Sequence, residues 1–547
     1  MMFNKIQAIV LAAGKSSRFK TNTSKLAEKI CGQEMILYTT KLLESLHIPT
    51  TVVVGHQAEL IKTIITSNHP NSHYPVTFVH QHEQNGTGHA LICTREHWTS
   101  DTLLVINGDM PLISADIITD LYKQHSANNA AISFVTSHLE DPSIGSYGRV
   151  IKTTEPSPTH NSVSQEVNPR EIISIVEAKE FTGDPHQPCF INAGIYLIDR
   201  SFLEHYNTAL EKSPIAQEFY ITDLVKIASD ANLPVVTTRV PFDHVRGINT
   251  LQELWTAEQI KKADIIKHWM DNGVRFSVIY NIQIDINVTI GTGSVIGSGT
   301  YLRSGTRIGK NCTIGEFSSI TNSVLEDNVT LLSHCVISDS FIGSHASVGP
   351  FAHVRLQSKI MPRATIGNFV EVKNSTVGQE SKAKHLSYLG DATIGNRVNI
   401  GAGTITCNHD SINKHQTIIK DNVYVGSNST LIAPITIEHE AFIAAGSVIT
   451  ESVPQNAFAI GRSYQTTKEN YATILRERIK NSSHNNNYTY LPTGDQTGDY
   501  SFNTCAHNQE QIKILNNKNT LENSPENNSD LFTGATKIVI LPTSKKS

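Results

Sequence analysis

Gly14, Lys15, Ser16, Ser17, Arg18 and Lys25 put turn residues and cations directly after an apolar run, AIVLAA, at 8–13. A buried strand that opens into such a turn sets backbone N–H groups and positive charge at the C-terminal edge of a sheet. An anion can bind there. Gly14-Lys15-Ser16 has the ending of a P-loop. That motif requires a second glycine five residues earlier, and position 9 is isoleucine. Taken alone, the stretch also fits an ordinary strand-to-loop turn. Asp109 closes a second apolar run, LLVINGD. A carboxylate at a strand end is a hard oxygen ligand suited to Mg²⁺, or, with no companions, a loop cap.

These residues need a sheet to carry them. Residues 1–249 alternate short apolar runs (QAIVLAA, TTVVVG, TLLVING, AAISFVT) with helix-like stretches. The pattern predicts an α/β domain with a largely parallel sheet. Thr250 and Glu253 fit a capping box, which predicts a connector helix over 250–272. Beyond it the period changes to six. Ile284, Ile290, Ile296, Leu302, Ile308, Ile314 and Ile320 form one series, Ile342 to Val372 a second and Ile419 to Ile449 a third. Three such hexapeptides make one coil of a parallel β-helix, with an aliphatic residue inward on each face. This domain is expected over 273–475. An Asn/Ser-rich tail follows over 476–547, read as disordered apart from a possible strand at KIVILP.

The chain has 547 residues, enough for about three domains. A net charge of −5 argues against a nucleic-acid surface. No apolar run approaches the roughly 20 residues of a membrane helix. The N-terminus reads as a first strand, not a signal peptide. Seven scattered cysteines with no CxxC pair fit reduced thiols in a cytoplasm.

Further stretches add to the opening turn. QHEQNGTGHAL supplies Gln81, Gly86 and Thr87; SYGRV supplies Gly148; SIVEAKE supplies Glu177; INAGIYL supplies Asn192; VRGINT supplies Asn249. In this order they resemble the sugar nucleotidyltransferases. In the second half GPFAHVR, GNFVEVKNS, SKAKHLSYLGDATIGNRVNIGAGTITCNHD and AIGRS are longer matches. Together they resemble the bifunctional bacterial N-acetylglucosamine-1-phosphate uridyltransferase/glucosamine-1-phosphate N-acetyltransferases, over about 5–475.

The resemblance implies a Rossmann-like nucleotidyltransferase domain followed by a left-handed β-helix, although a six-residue repeat does not itself fix the hand. It implies acetyl transfer from acetyl-CoA to glucosamine 1-phosphate. Uridylyl transfer from UTP to the product follows, with Mg²⁺, feeding peptidoglycan and lipopolysaccharide synthesis. Leu11, Ala12, Ala13, Gly14, Gln81, Gly86, Thr87, Asn107 and Gly108 then belong to the nucleotide site, with Lys25 and Arg18 neutralising phosphate. Asp109 and Asn249 are implied metal ligands. Gly148, Glu177 and Asn192 are implied sugar contacts. His385 aligns with the base that deprotonates the sugar ammonium, and imidazole titrates in the right range. Arg355, Lys373, Tyr388 and Asn399 would hold glucosamine 1-phosphate. Ala402, Asn408, His409, Ser427, Ala445 and Arg462 would hold acetyl-CoA. The resemblance also implies a cytoplasmic homotrimer whose acetyl-transfer sites lie between adjacent β-helices.

Several positions depart from the family pattern. Ser16 and Ser17 replace Gly-Thr, Ser24 replaces a proline, Asn107 a tyrosine, Ala193 a threonine and His409 a tyrosine. IAQEFY lacks a glycine, and an insertion separates SYGRV from IVEAKE. These changes are expected to weaken binding and to leave the chemistry in place. Three alternatives compete. One is a nucleotidyltransferase whose β-helix only trimerises or regulates. Another is a zinc site from His334, His345 and His353. The last is a non-catalytic scaffold.

Overall fold

In the computed structural model the residues described are 3, 5–20, 22–69, 76–141, 147–155 and 170–483. The first apolar runs form β1 (Ile6–Ala12), β2 (Thr50–Val54), β3 (Val76–His80) and β4 (Thr102–Asn107). The runs after these give β5 (Ile132–Leu139), β6 (Arg149–Glu155), β7 (Arg170–Val176), β8 (Cys189–Asp199) and β9 (Val235–Arg239). The sheet order is β9-β5-β8-β4-β1-β2-β3, with β6 paired to β8 and β7. Strands β4, β1, β2 and β3 run parallel, so their C-terminal ends share one edge. β8 is antiparallel to both its neighbours. Ile9, Val10, Val53, Leu104 and Ile106 are fully buried, as a sheet covered on both faces requires. The insertion seen in the sequence joins the antiparallel pair β6–β7.

A helix follows at Leu251–Asp271, as the capping box predicts. The β-helix then runs from Arg275 to Ala459 as three parallel sheets of eleven, ten and nine short strands. It is a left-handed β-helix of hexapeptide repeats. Inward aliphatics stack in columns, such as Ile284–Leu302–Ile320–Ile337–Val354–Val372–Leu389. Each is essentially buried, worth roughly 1.5–3 kcal/mol of hydrophobic burial. The breaks in the six-residue phase now have a cause. Some coils span 18 residues and others 17, so one hexapeptide shortens to five. One coil carries a larger excursion: Ile394 pairs with Ile419, and residues 408–416 loop out between them.

The two domains meet at a small hairpin, Lys29–Ile30 with Gln33–Glu34. Its turn carbonyl at Cys31 accepts the N–H of Ile286 at 2.9 Å. Gly32 sits there at φ +79°, and a Cβ on it would run into the Asp285 carboxylate. Separately from this unit, Tyr471–Ser483 forms a helix that crosses the expected boundary at 475. The expected tail from 484 onward, KIVILP included, lies outside the described residues.

Candidate functional site

The edge shared by β1, β4, β2 and β3 collects the first group of residues. Leu11 to Gly14 leave the end of β1, and the Leu11 carbonyl accepts the N–H of Gly108 at 2.9 Å. The β1 and β4 turns are thereby locked side by side. No atom lies within 4 Å of where a Gly14 Cβ would be, so open space stands over the turn. Lys25 Nζ lies 2.5 Å from Asp109 Oδ2 and 2.7 Å from Asn249 Oδ1. Arg18 Nη2 donates to the same Asn249 oxygen at 3.0 Å. Two hard oxygen donors thus converge on one cationic point, here an ammonium. That donor pair fits Mg²⁺, which typically takes one or two protein ligands and completes its shell with water and substrate phosphate.

The connector helix sets Asn249. The Glu253 carboxylate accepts the backbone N–H groups of Asn249 and Thr250 at 2.7 and 2.9 Å, and Thr250 Oγ1 accepts the Glu253 N–H. A helix cap therefore also holds a site residue in place.

Around this centre lie the expected base and sugar contacts. Gln81 is buried and donates to the Gly86 carbonyl at 3.1 Å, bracing the turn. Gly86 takes φ +102°, and the Phe219 backbone fills the space a Cβ would need. Thr87 Oγ1 accepts the N–H of Ile221 at 3.1 Å, so the 212–221 loop closes on the same turn. Gly148 packs against Ile175, and Glu177 lies beside it. Glu177 accepts a hydrogen bond from Thr222 Oγ1 at 2.9 Å, and burial pushes its carboxyl above the usual range. The Asn192 side chain is engaged internally. It donates to Tyr196 Oη at 2.5 Å and accepts the Gly194 N–H at 3.1 Å, stabilising a bulge in β8. Asn107 packs its amide where a Gly194 side chain would stand.

The β-helix carries the second group in two rows. His385, Ala402, Ser427 and Ala445 occupy equivalent corners of successive coils. Gly403 N–H bonds the His385 carbonyl, Asn428 that of Ala402 and Gly446 that of Ser427. Arg462 packs its Cδ 3.6 Å from where a Gly446 Cβ would be, at the top of this row. His385 is exposed, and its Nδ1 pairs with Asn368 Oδ1 at 2.8 Å. An amide oxygen can only accept, so Nδ1 carries the proton and Nε2 is left to accept one.

The other row runs along the next sheet and its far corner. Arg355 pairs in register with Lys373, and Glu371 with Tyr388. The Arg355 guanidinium is held by Glu371 Oε1 at 2.6 and 2.9 Å. Lys373 lines a groove of about 630 Å³ with Asn374, Asp391, Lys359 and Lys414. Asn408 donates to Asp391, and His409 bridges to Lys414 within the looped-out segment. Asn399 stands apart from this row, on the sheet whose strand Lys382–His385 carries His385, where it opens a strand beside Lys382 and Tyr424. One protomer therefore gathers Ala402, Ser427, Ala445 and Arg462 by His385, and places Asn408 and His409 on a different corner.

Comparison with known proteins agrees with this division. Residues 8–197 match the MobA-like NTP transferase domain, 278–358 the GMPPB C-terminal domain, and 416–451 the hexapeptide repeat of succinyl-transferase. The Bifunctional protein GlmU of Alkaliphilus metalliredigens is 37% identical over 470 residues, covering 85% of this chain and 98% of that relative. That of Koribacter versatilis is 37% identical over 480 residues, covering 87% and 98%. That of Thermosipho melanesiensis is 36% identical over 481 residues, covering 88% and 100%.

The chain belongs to the bifunctional GlmU family. It is an enzyme with two transferase activities, one for each domain. Among the described residues, no group of three or more His, Cys, Asp and Glu side chains could hold a metal ion. Of the three histidines considered for zinc, His334 instead stacks between Phe317 and Phe351.

Lys414, Glu371 and Asn368 were not singled out by the sequence reading. Lys414 lies in the looped-out segment, where the hexad pattern is silent. Glu371 and Asn368 lie inside GNFVEVKNS, and only the coil register shows that they touch Arg355 and His385.

Proposed function

We propose the residue roles by which this bifunctional enzyme makes UDP-N-acetylglucosamine. The observation that carries the reading is the convergence of Asp109, Asn249, Lys25 and Arg18 at the edge of a nucleotidyltransferase sheet, on the same chain as the His385 row.

In the β-helix, Lys373 and Arg355 hold the phosphate of glucosamine 1-phosphate, with Tyr388 and Asn399 on the sugar. His385 Nε2 takes a proton from the ammonium. The freed amine attacks the thioester carbonyl of acetyl-CoA, and coenzyme A leaves. Ala402, Ser427, Ala445 and Arg462 line the path of the coenzyme. Asn408 and His409, on another corner, serve a neighbouring copy, which supports a homotrimer with shared sites.

In the first domain the turn at 11–14 receives the triphosphate, and Gln81, Gly86 and Thr87 receive the base. Gly148, Glu177 and Asn192 form the sugar pocket. A phosphate oxygen of N-acetylglucosamine 1-phosphate attacks the α-phosphorus of UTP and pyrophosphate leaves. Lys25 and Arg18 neutralise the charge that develops. Asp109 and Asn249 would hold Mg²⁺, which supplies further positive charge to the phosphates. The reaction belongs in the cytoplasm, where both co-substrates are found. Among the described residues no helix is long and apolar enough to cross a membrane.

A split assay tests the reading. One arm supplies glucosamine 1-phosphate and acetyl-CoA and follows free thiol. The other supplies N-acetylglucosamine 1-phosphate, UTP and Mg²⁺ and follows pyrophosphate. Both arms are expected to be active. His385→Ala should lose thiol release by about 10²-fold or more and keep pyrophosphate release. Pyrophosphate release alone from the wild type would favour a nucleotidyltransferase whose β-helix only assembles the protein.

A further inference from the structure

Lys25 is carried on a loop whose preceding residue has a proline-like backbone and no proline ring. Ser24 sits at φ −57° and ψ 131°, within the range a pyrrolidine ring imposes. Ser24 is also buried, at 2% exposure. A serine there has a backbone N–H that must find a partner or pay the full desolvation penalty.

The partner is Gln57. The Ser24 N–H donates to Gln57 Oε1 at 2.7 Å, and Gln57 Nε2 donates to the Asn22 carbonyl at 2.7 Å. One planar amide thus bridges both ends of the segment that leads into Lys25. Its orientation is fixed by chemistry. Turned over, it would set NH₂ against N–H and oxygen against carbonyl. Ser24 Oγ adds a cap to the short turn Lys25–Ala27 by accepting the Leu26 N–H at 3.4 Å.

Gln57 comes from a separate element. It precedes the helix Ala58–Asn68 and is itself held at φ 54°, with its carbonyl accepting the Ile61 N–H at 3.3 Å. The clamp therefore ties the Lys25 loop to the turn after β2. That turn is packed on β1, since a Gly55 Cβ would press on the Ala13 carbonyl and His56 N–H bonds to it.

We propose that Gln57 is a positioning residue for uridylyl transfer, doing by two hydrogen bonds what a ring at 24 would do covalently. It fixes the loop so that Lys25 Nζ stays at the mouth of the triphosphate turn, beside Asp109 and Asn249. The inference rests on the role given to Lys25 above.

The test uses the full chain and its two activities. In Gln57→Leu, pyrophosphate release should fall about tenfold in kcat, with a smaller change in KM for UTP. Thiol release should be unchanged, which reports intact folding. Adding Ser24→Pro removes the unsatisfied N–H and restores the backbone restraint. The double variant should recover to within about threefold of wild type. A full-rate Gln57→Leu, or a double variant no better than the single one, would overturn the proposal.

Hydrogen exchange without substrate gives a second readout. Amides 25–28 should exchange faster in Gln57→Leu and return towards wild type in the double variant. A wild type that releases no pyrophosphate would overturn the role of Lys25. The exchange data then decide the clamp alone, and unchanged exchange in Gln57→Leu overturns that too.

Discussion

Ser16 and Gln217 both hold a left-handed backbone, at φ 55° and 58°. Each stands at or beside a place where the family pattern has glycine. A side chain there costs about 1–2 kcal/mol against glycine. Gln217 recovers part of it by donating to the Pro214 carbonyl at 3.1 Å. Gln217→Gly should therefore raise stability by about 1 kcal/mol, read as a higher midpoint in urea or heat. A lower midpoint would mean that the side-chain contact outweighs the strain. Asp223 offers a pH test. Burial, with Glu180 nearby, pushes its carboxyl from 3.8 up to about 6. Between these values the folded protein keeps a proton that the unfolded chain has released. Stability from this group is thus highest below about pH 4, falls as pH rises through 6, and stays reduced above it. Asp223→Asn should gain about 1 kcal/mol at pH 7.5, after allowing for partial exposure, and nothing near pH 4. Thermal melts at the two pH values would show it. The residue types at these places were legible as departures. Their backbone angles were not, because no local sequence rule puts glutamine or serine in the left-handed region. At Ser24 the loop keeps a proline-like backbone while Gln57, more than thirty residues away, accepts its N–H.

The connector helix is the element whose ends matter most. Its T-x-x-E start was readable, and the cap formed as expected. Its second role was not readable, since only the fold brings Asn249 to Lys25. Glu253→Ala removes the carboxylate that holds the Asn249 and Thr250 amides. A lost cap costs about 1 kcal/mol. The larger effect should be on pyrophosphate release, expected to drop about tenfold while thiol release persists. Equal loss in both arms would point to misfolding instead. The β-helix was legible in its inward columns because period six is a steric demand of the coil. Its corners were less so: left-handed positions are filled by Asn311, Phe317, Asn322, His334 and Phe351, among others. The coil register that pairs Arg355 with Lys373 and sets Asn368 on His385 depends on where a hexapeptide loses a residue.

At the scale of the molecule, the proposed residue roles make the two activities depend unequally on assembly. Every residue proposed for uridylyl transfer comes from one chain. The proposed acetyl-transfer set is split between two corners of the β-helix, which supports a site shared between copies. Dilution until the proposed homotrimer separates should reduce thiol release per chain while pyrophosphate release per chain stays constant. Activity in both arms against concentration, with sedimentation alongside, would check this. Constant thiol release from a demonstrated monomer would return all the acetyl-transfer residues to one protomer. The sequence pointed to both chemistries through its motifs. It could not show which corner each residue occupies, because motifs record order along the chain and not position around a coil.

From Arg275 up to Arg355 the coils hold no residue assigned to either reaction. Six strand spacings separate Arg275 from Lys382 along one sheet, about 29 Å at the usual inter-strand distance. On the proposed roles, a sugar phosphate acetylated beside His385 is made six coils away from the base of the β-helix, where the hairpin of the first domain meets it.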